Sequence, residues 1–418
     1  MPVNPDTMES AREVIRRCRK LATFSEDAGR TRRTFLSAPM RDCHREISRW
    51  LAPLGASVTT DAVGNLRAVF PGADPRAPRL LLGSHLDTVP NAGAFDGVLG
   101  VVLAVALMES LAGRELPFGV EVIGFSEEEG VRFGVPFLGS RALVGTFDEA
   151  LLRREDARGV SVRQALESFG LDPSQIPSAR LENDVFGYVE FHIEQGPVLE
   201  DLGRPLGVVE AIVGQTRMAV TFVGRANHAG TTPMHLRRDA LAAAAEWIVK
   251  VENDARREQG LVATVGAVHA VPVAANVIVG EVSVLLDVRH RSDDVRAMAA
   301  ARMMDHAKEI ASSRGLSLRQ GVLLDHATVP MDRFLADQIE HAIRQAGCEP
   351  HRMVSGAGHD AMILAERVPA AMVFLRTPNG ISHDPAEAVL VEDVAKAIDC
   401  GLHLLTASSL LPGRPCRA

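Results

Sequence analysis

At 418 residues the chain exceeds what one ordinary hydrophobic core organises, so two domains are expected. With 46% hydrophobic and 23% charged residues it has globular composition, and a formal net charge of −8 argues against nucleic-acid or anionic-membrane partners, which favour basic patches. Five scattered cysteines (Cys18, Cys43, Cys348, Cys400, Cys416) form no CxxC pair, which excludes a readable disulfide framework or thiolate metal site. The stretch Met8 to Lys20 is charged with helical period rather than an apolar signal core, and no apolar run approaches membrane-spanning length. The expected setting is cytoplasmic.

In chain order, Glu9 to Leu21 and Arg41 to Leu54 read as amphipathic helices, and Val58 to Phe70 as a hairpin turning at Gly64-Asn65. A strand at Arg79 to Ser84, a small-residue helix from about Gly97 to Leu111 and a strand at Gly119 to Phe125 follow. This order predicts an α/β sheet that places ligands at the carboxyl ends of its strands. Near Ile212 the pattern changes. Gln215 to Gly224, Val262 to Val271 and Glu281 to Arg289 read as strands, and Arg238 to Asn253 and Ser292 to Ser313 as helices; the block resembles an inserted α+β domain of four antiparallel strands and two helices. From about Thr328 the first pattern returns with a helix at Asp332 to Gln345. The chain therefore reads as a discontinuous catalytic domain, residues 1–212 and 328–418, with an insert at residues 213–327. A tail from Leu411 is expected to fray.

The most telling stretch is Gly83-Ser-His-Leu-Asp-Thr-Val89, closing the apolar run Leu80 to Leu82. His85 and Asp87 stand at i, i+2 and so point the same way at a strand end. A carboxylate that can bind the second nitrogen of an imidazole is a common companion of a metal-binding histidine. Asp96 follows in a glycine-rich turn, and Glu127, Glu128 and Glu129 close the next apolar strand. His192 and His383 complete a set of imidazoles and carboxylates suited to two Zn²⁺, Mn²⁺, Co²⁺ or Ni²⁺ ions, with Asp96 as the bridge. Such ions lower the pKa of water and polarise a carbonyl, while a free carboxylate carries protons.

Taken with Phe95-Asp-Gly97, Glu127-Glu-Glu-Gly-Val-Arg-Phe133, His192-Ile-Glu-Gln-Gly-Pro197, Gly214-Gln-Thr-Arg217, Asn227-His-Ala-Gly-Thr-Thr-Pro-Met234, Gly356-Ala-Gly-His-Asp360 and Ser382-His-Asp384, these motifs resemble the dimetal aminoacylase and carboxypeptidase-type metallopeptidase superfamily. The similarity extends from the first helix to about Leu405. Within the superfamily the chain resembles the branch of N-carbamoyl-L-amino acid hydrolases, β-ureidopropionases, and allantoate and ureidoglycolate amidohydrolases. Histidine at His192, followed by Ile-Glu-Gln-Gly, separates this branch from relatives with a carboxylate there.

The resemblance implies one metal held by His85, Asp96 and His192, and a second held by Asp96, Glu129 and His383. It implies Glu128 as general base and Asp87 as the residue orienting His85. It implies that the insert is a lid and dimerisation domain, and that His228 reaches across a homodimer to stabilise the oxyanion. Arg289 would bind a substrate carboxylate through a bidentate pair, with simple pairing to Asp287 or Asp293 as the lesser alternative. Gln215 and Asn276 would hold the ureido group, and Gly358 would offer backbone beside the substrate. The implied reaction is hydrolysis of the carbamoyl C–N bond of an N-carbamoyl-L-amino acid or similar ureido acid, releasing ammonia and carbon dioxide. The alternatives are an allantoate amidohydrolase, an aminoacylase or dipeptidase of the same fold, and an inactive metal-binding adaptor on this scaffold.

Overall fold

The computed structural model describes residues 5–410; the tail expected to fray from Leu411 lies outside them. Two compact units are present. One takes the chain up to Glu210 and again from Met331, and the other comprises Ala211–Pro330.

The first unit is built on a mixed sheet whose strands run, side by side, Ser57–Thr60, Leu66–Phe70, Gly119–Phe125, Arg79–His85, Val185–Ile193, Ala370–Leu375 and Leu206–Ile212. Arg79–His85 and Gly119–Phe125 are near-continuous apolar runs, and almost every residue in them is buried. That pattern belongs to central strands covered on both faces. They pair in parallel, with His85 opposite Phe125, and Arg79–His85 also pairs in parallel with Val185–Ile193. Ala370–Leu375 joins the parallel set with Phe374 opposite His192. The carboxyl ends of these strands therefore share one edge, where His85, the Glu127–Glu129 loop and His192 emerge.

The helix Val98–Ser110 is buried from Val98 through Met108, apolar on every side because strands, the helix Pro5–Ala22 and the helix Val391–Thr406 all pack against it. The first hairpin departs from its expected turn. Its strands end at Thr60 and resume at Leu66, because the Asp61 carboxylate accepts the N–H groups of Val63 and Asn65 and builds a wider connection.

The insert carries its own antiparallel sheet in the order Ser317–His326, Gly214–Val223, Glu281–His290, Val262–Val271. Its helices, Ala240–Arg257 and Asp293–Ser313, start at the side-chain caps of Asp239 and Ser292. Alternating Val282, Val284, Leu286 and Val288 pack under them with Phe222 and Trp247, whose indole N–H donates to the Met303 carbonyl. Val262, Val268, Leu285, Val322 and Leu323 remain exposed. Among the described residues no helix is long and apolar enough to cross a membrane.

Candidate metal centre

Asp96 is the hub of the strand-end cluster. Its Oδ1 lies 3.2 Å from His192 Nε2 and 3.6 Å from His85 Nε2. Its Oδ2 lies 3.1 Å from His383 Nε2, and that same nitrogen is 3.5 Å from Glu129 Oε1. One donor atom from each of His85, Asp96 and His192 falls within 4.8 Å of the others, and so does one from each of Asp96, Glu129 and His383.

The imidazoles are oriented by backbone. His85 Nδ1 is 3.0 Å from the Asp87 carbonyl and His192 Nδ1 is 2.9 Å from the Ile193 carbonyl. A carbonyl only accepts, so Nδ1 carries the proton and each Nε2 turns toward Asp96. Asp96 Oδ1 is buried without a hydrogen-bond partner among the described residues. An orphaned carboxylate oxygen faced by two imidazole nitrogens fits a divalent cation. The electrostatics agree. Burial alone would raise the Asp96 pKa, but the imidazoles of His192, His383 and His85 gathered around it outweigh burial and hold the carboxyl well below its usual range. Burial alone would likewise lower His85, and the Asp87 and Asp96 carboxylates instead push it well above its usual value. This point in the protein favours positive charge.

Gly97 makes room for that geometry. Its φ is +66°, and a Cβ there would stand 2.4 Å from ring atoms of His85.

Asp87 is placed differently from a simple partner to His85. Its carboxylate is 3.5 Å from His85 Nδ1, whereas its Oδ1 accepts the Glu128 N–H at 2.9 Å and its Oδ2 the Glu129 N–H at 3.1 Å. Glu128 and Glu129 each bring a donor atom beside His85. Glu127 accepts the Arg132 N–H and belongs to none of the donor clusters found among the described residues. Burial raises the Glu128 carboxyl well above its usual pKa and lifts Glu129 to about 7, with neighbouring negative charge adding to both.

Several participants were given no role by the sequence. Gln195, held at φ +59°, donates from Nε2 to Asp96 Oδ2 at 2.9 Å. Behind His192, Glu190 accepts from Ser84 Oγ at 2.7 Å and from the Ala361 N–H at 3.2 Å. His359 packs edge-on against the His192 ring at 4.5 Å and contacts Ser355 Oγ at 2.9 Å. Gln195 and His359 lie inside the motifs that begin at His192 and Gly356, so a signal was present at both positions. Gly358 is exposed beside His359, and a Cβ added there would lie 3.0 Å from the Phe137 ring.

Within the insert the expected residues form two groups. Gln215 and Arg289 are cross-strand partners and both bind Asp287: Gln215 Nε2 at 2.5 Å, Arg289 Nε and Nη2 at 2.8 and 3.1 Å. Arg217 reaches the same carboxylate at 2.9 Å. His228 and Asn276 form the other group, joined by the Ala229 N–H to the Asn276 carbonyl at 2.9 Å. Both are exposed. His228 Nδ1 accepts the Gly230 N–H at 3.1 Å, which leaves Nε2 as the protonated, outward-facing donor.

The profile of Peptidase family M20/M25/M40 matches residues 81–407. N-carbamoyl-L-amino acid amidohydrolase of Geobacillus stearothermophilus is 39% identical over 381 residues, spanning 90% of this chain and 93% of that protein. Allantoate deiminase 2 of Glycine max is 37% identical over 416 residues, spanning 91% of this chain and 86% of its own length. The crystal structure of a hydantoinase/carbamoylase family amidase from Burkholderia multivorans superposes with a TM-score of 0.90 at 31% identity, covering 96% of this chain and 98% of the other. The profile match takes in the His85 strand, the glutamate loop, His192 and His383, and the chain is a member of Peptidase family M20/M25/M40.

Proposed function

We propose that the protein is a metal-dependent amidohydrolase that cleaves the carbamoyl C–N bond of an N-carbamoyl-L-amino acid or similar ureido acid. The observation that carries this reading is the convergence of two donor sets on Asp96, taken with relatives whose names give that chemistry. His85, Asp96 and His192 would hold one divalent ion, and Asp96, Glu129 and His383 the other. Bound there, Zn²⁺, Mn²⁺, Co²⁺ or Ni²⁺ would supply Lewis-acid polarisation of the substrate carbonyl and acidify water.

The remaining work falls to side chains. Glu128 takes the proton of the attacking water and returns it to the leaving nitrogen. The product carbamate breaks down to ammonia and carbon dioxide. His228, a donor through Nε2, stabilises the developing oxyanion from the insert of a second copy. Arg289, whose Nε and Nη2 are held by Asp287, pairs with the substrate carboxylate. Gln215 and Asn276 hold the ureido group, and Gly358 leaves backbone open beside it. In this reading residues 1–212 with 328–418 form the catalytic domain, and residues 213–327 form the lid and dimerisation domain of a cytoplasmic homodimer.

Allantoate is the second substrate reading, favoured by the soybean allantoate deiminase at 37% identity. The deciding experiment measures ammonia release by chelator-stripped protein with and without Mn²⁺ or Zn²⁺. The substrates are N-carbamoyl-L-amino acids, N-carbamoyl-β-alanine, allantoate and an N-acetyl amino acid. Metal-dependent ammonia release supports the proposal and the best substrate chooses between its two forms. Cleavage of the N-acetyl compound alone would make the protein an aminoacylase.

A further inference from the structure

Glu387 is buried, and it lies in the turn that follows His383. Its Oε1 accepts two consecutive backbone N–H groups, those of Phe95 at 2.8 Å and Asp96 at 3.0 Å. Across nearly three hundred residues of sequence, one carboxylate oxygen thus fixes the peptide that carries Asp96. Its other oxygen faces Ser382, whose Oγ lies 3.3 Å from Glu387 Oε2 and 3.1 Å from Asp96 Oδ2. The single Ser382 hydroxyl proton is therefore placed between the two carboxylates, one residue before His383.

The opposite wall has been cleared for this side chain. A Cβ on Gly93 would meet Glu387 Cβ at 2.4 Å and Oε1 at 2.6 Å. The loop from Gly93 to Asp96 and the turn from Ser382 to Glu387 therefore interlock through one side chain. Asp96 Oδ2 and His383 Nε2, the two donors so linked, stand 3.1 Å apart. His85 and His192 are held differently, by carbonyls of their own strand ends.

From this geometry we propose that Glu387 is the positioning residue that sets the Asp96–His383 spacing, and with it the affinity of the ion held on the His383 side. The proposal rests on the metal-centre reading above. Glu387 touches neither substrate nor ion; it acts through the Phe95–Asp96 peptide and Ser382. The half-exposed His383, at 48% side-chain accessibility, depends on that support more than the buried pair does. Removing such an outer hydrogen-bond partner costs on the order of 10- to 100-fold in metal affinity.

The test counts bound Mn²⁺ and Zn²⁺ by elemental analysis after equilibration at buffered free-metal concentrations. It uses the full-length wild type, Glu387→Gln, Glu387→Ala and Gly93→Ala, each checked for folding by circular dichroism. Glu387→Gln keeps an acceptor oxygen for the two N–H groups and is expected to hold both ions. Glu387→Ala, and independently Gly93→Ala, are expected to lose the weaker ion at free-metal levels that still saturate wild type, with a tenfold or larger shift. A purely structural role would lower thermal stability while leaving metal stoichiometry and affinity unchanged; that result in folded Glu387→Ala overturns the proposal. Equal loss in the Gln and Ala variants also overturns it, because the N–H staple would then not be the cause. A wild type that binds fewer than two ions would instead overturn the metal-centre reading itself.

Discussion

Asp87 and Glu128 are joined by a hydrogen bond from the Glu128 N–H to Asp87 Oδ1 at 2.9 Å, and the other Asp87 oxygen takes the Glu129 N–H. The Asp of the His85-Leu-Asp87 motif thus determines where the glutamate loop sits, while its backbone carbonyl steadies His85. One residue couples the two strand ends. Asp87→Ala leaves two N–H groups without their acceptor and is expected to cost about 1–3 kcal/mol of stability. Activity should fall with it. Asp87→Asn keeps one acceptor oxygen and should lie between; urea unfolding and turnover measured together check the ranking.

Glu128→Gln preserves shape but removes the proton carrier. Turnover should fall by roughly 10²–10⁴-fold, the usual worth of general acid–base catalysis, with metal content unchanged. An active Gln variant would remove Glu128 from the mechanism.

Gly97→Ala forces a side chain onto a positive φ and into the His85 ring. The backbone there, at φ 66° and ψ −55°, alone costs a side-chain-bearing residue about 1–3 kcal/mol. The displaced imidazole should also weaken metal binding, which calorimetric titration of the stripped protein with Zn²⁺ would detect.

His228→Ala should lower kcat by about 10²–10³-fold, the worth of one oxyanion donor, while metal content stays the same. Arg289→Lys keeps the charge but loses the fork and should act mainly on KM. If Arg289 only balanced Asp287, KM would not move. Steady-state kinetics on the best ureido substrate separate the two effects.

Acid stability should depend on His44, remote from the strand-end cluster. Burial, reinforced by the positive charges of Arg33 and Arg41, depresses its pKa from 6.5 to about 4. Its Nε2 has no hydrogen-bond partner among the described residues. Below about pH 6.5 the unfolded chain takes up a proton that the folded protein refuses, so stability falls as pH drops from 6.5 toward 4. At about 1.4 kcal/mol per pKa unit, the loss is on the order of 3 kcal/mol. His44→Phe keeps the edge-on packing against Phe169 and should flatten this part of the pH–stability curve. An unchanged curve would assign the acid loss to other groups.

Local sequence carried much of the architecture. The apolar runs at Arg79–His85 and Gly119–Phe125 marked covered strands, and the helices expected from Ser292 and Asp332 begin there, each capped by that side chain. Chemistry at strand ends was readable for the same reason: His85 and the three glutamates close apolar runs that fix their direction, whereas Asp96 sits in a glycine-rich turn. The alternation from Gln215 to Gly224 likewise showed which side of that strand packs inward.

What the tertiary structure decided is which distant segments meet. Placing Ala370–Leu375 beside Val185–Ile193 is a choice of strand pairing, made by backbone hydrogen bonds and shared core. No local pattern encodes it. The contact of Glu387 with the Phe95–Asp96 peptide follows from the fold, as do the Ser84–Glu190 hydrogen bond and the packing of His359 on His192. The same holds for Asp87, whose period-two spacing from His85 gave its direction but not its partners. By itself the sequence determined the kinds of donor and their local orientation; only long-range packing decided their partners, because a hydrogen bond between segments hundreds of residues apart depends on the whole sheet being assembled first.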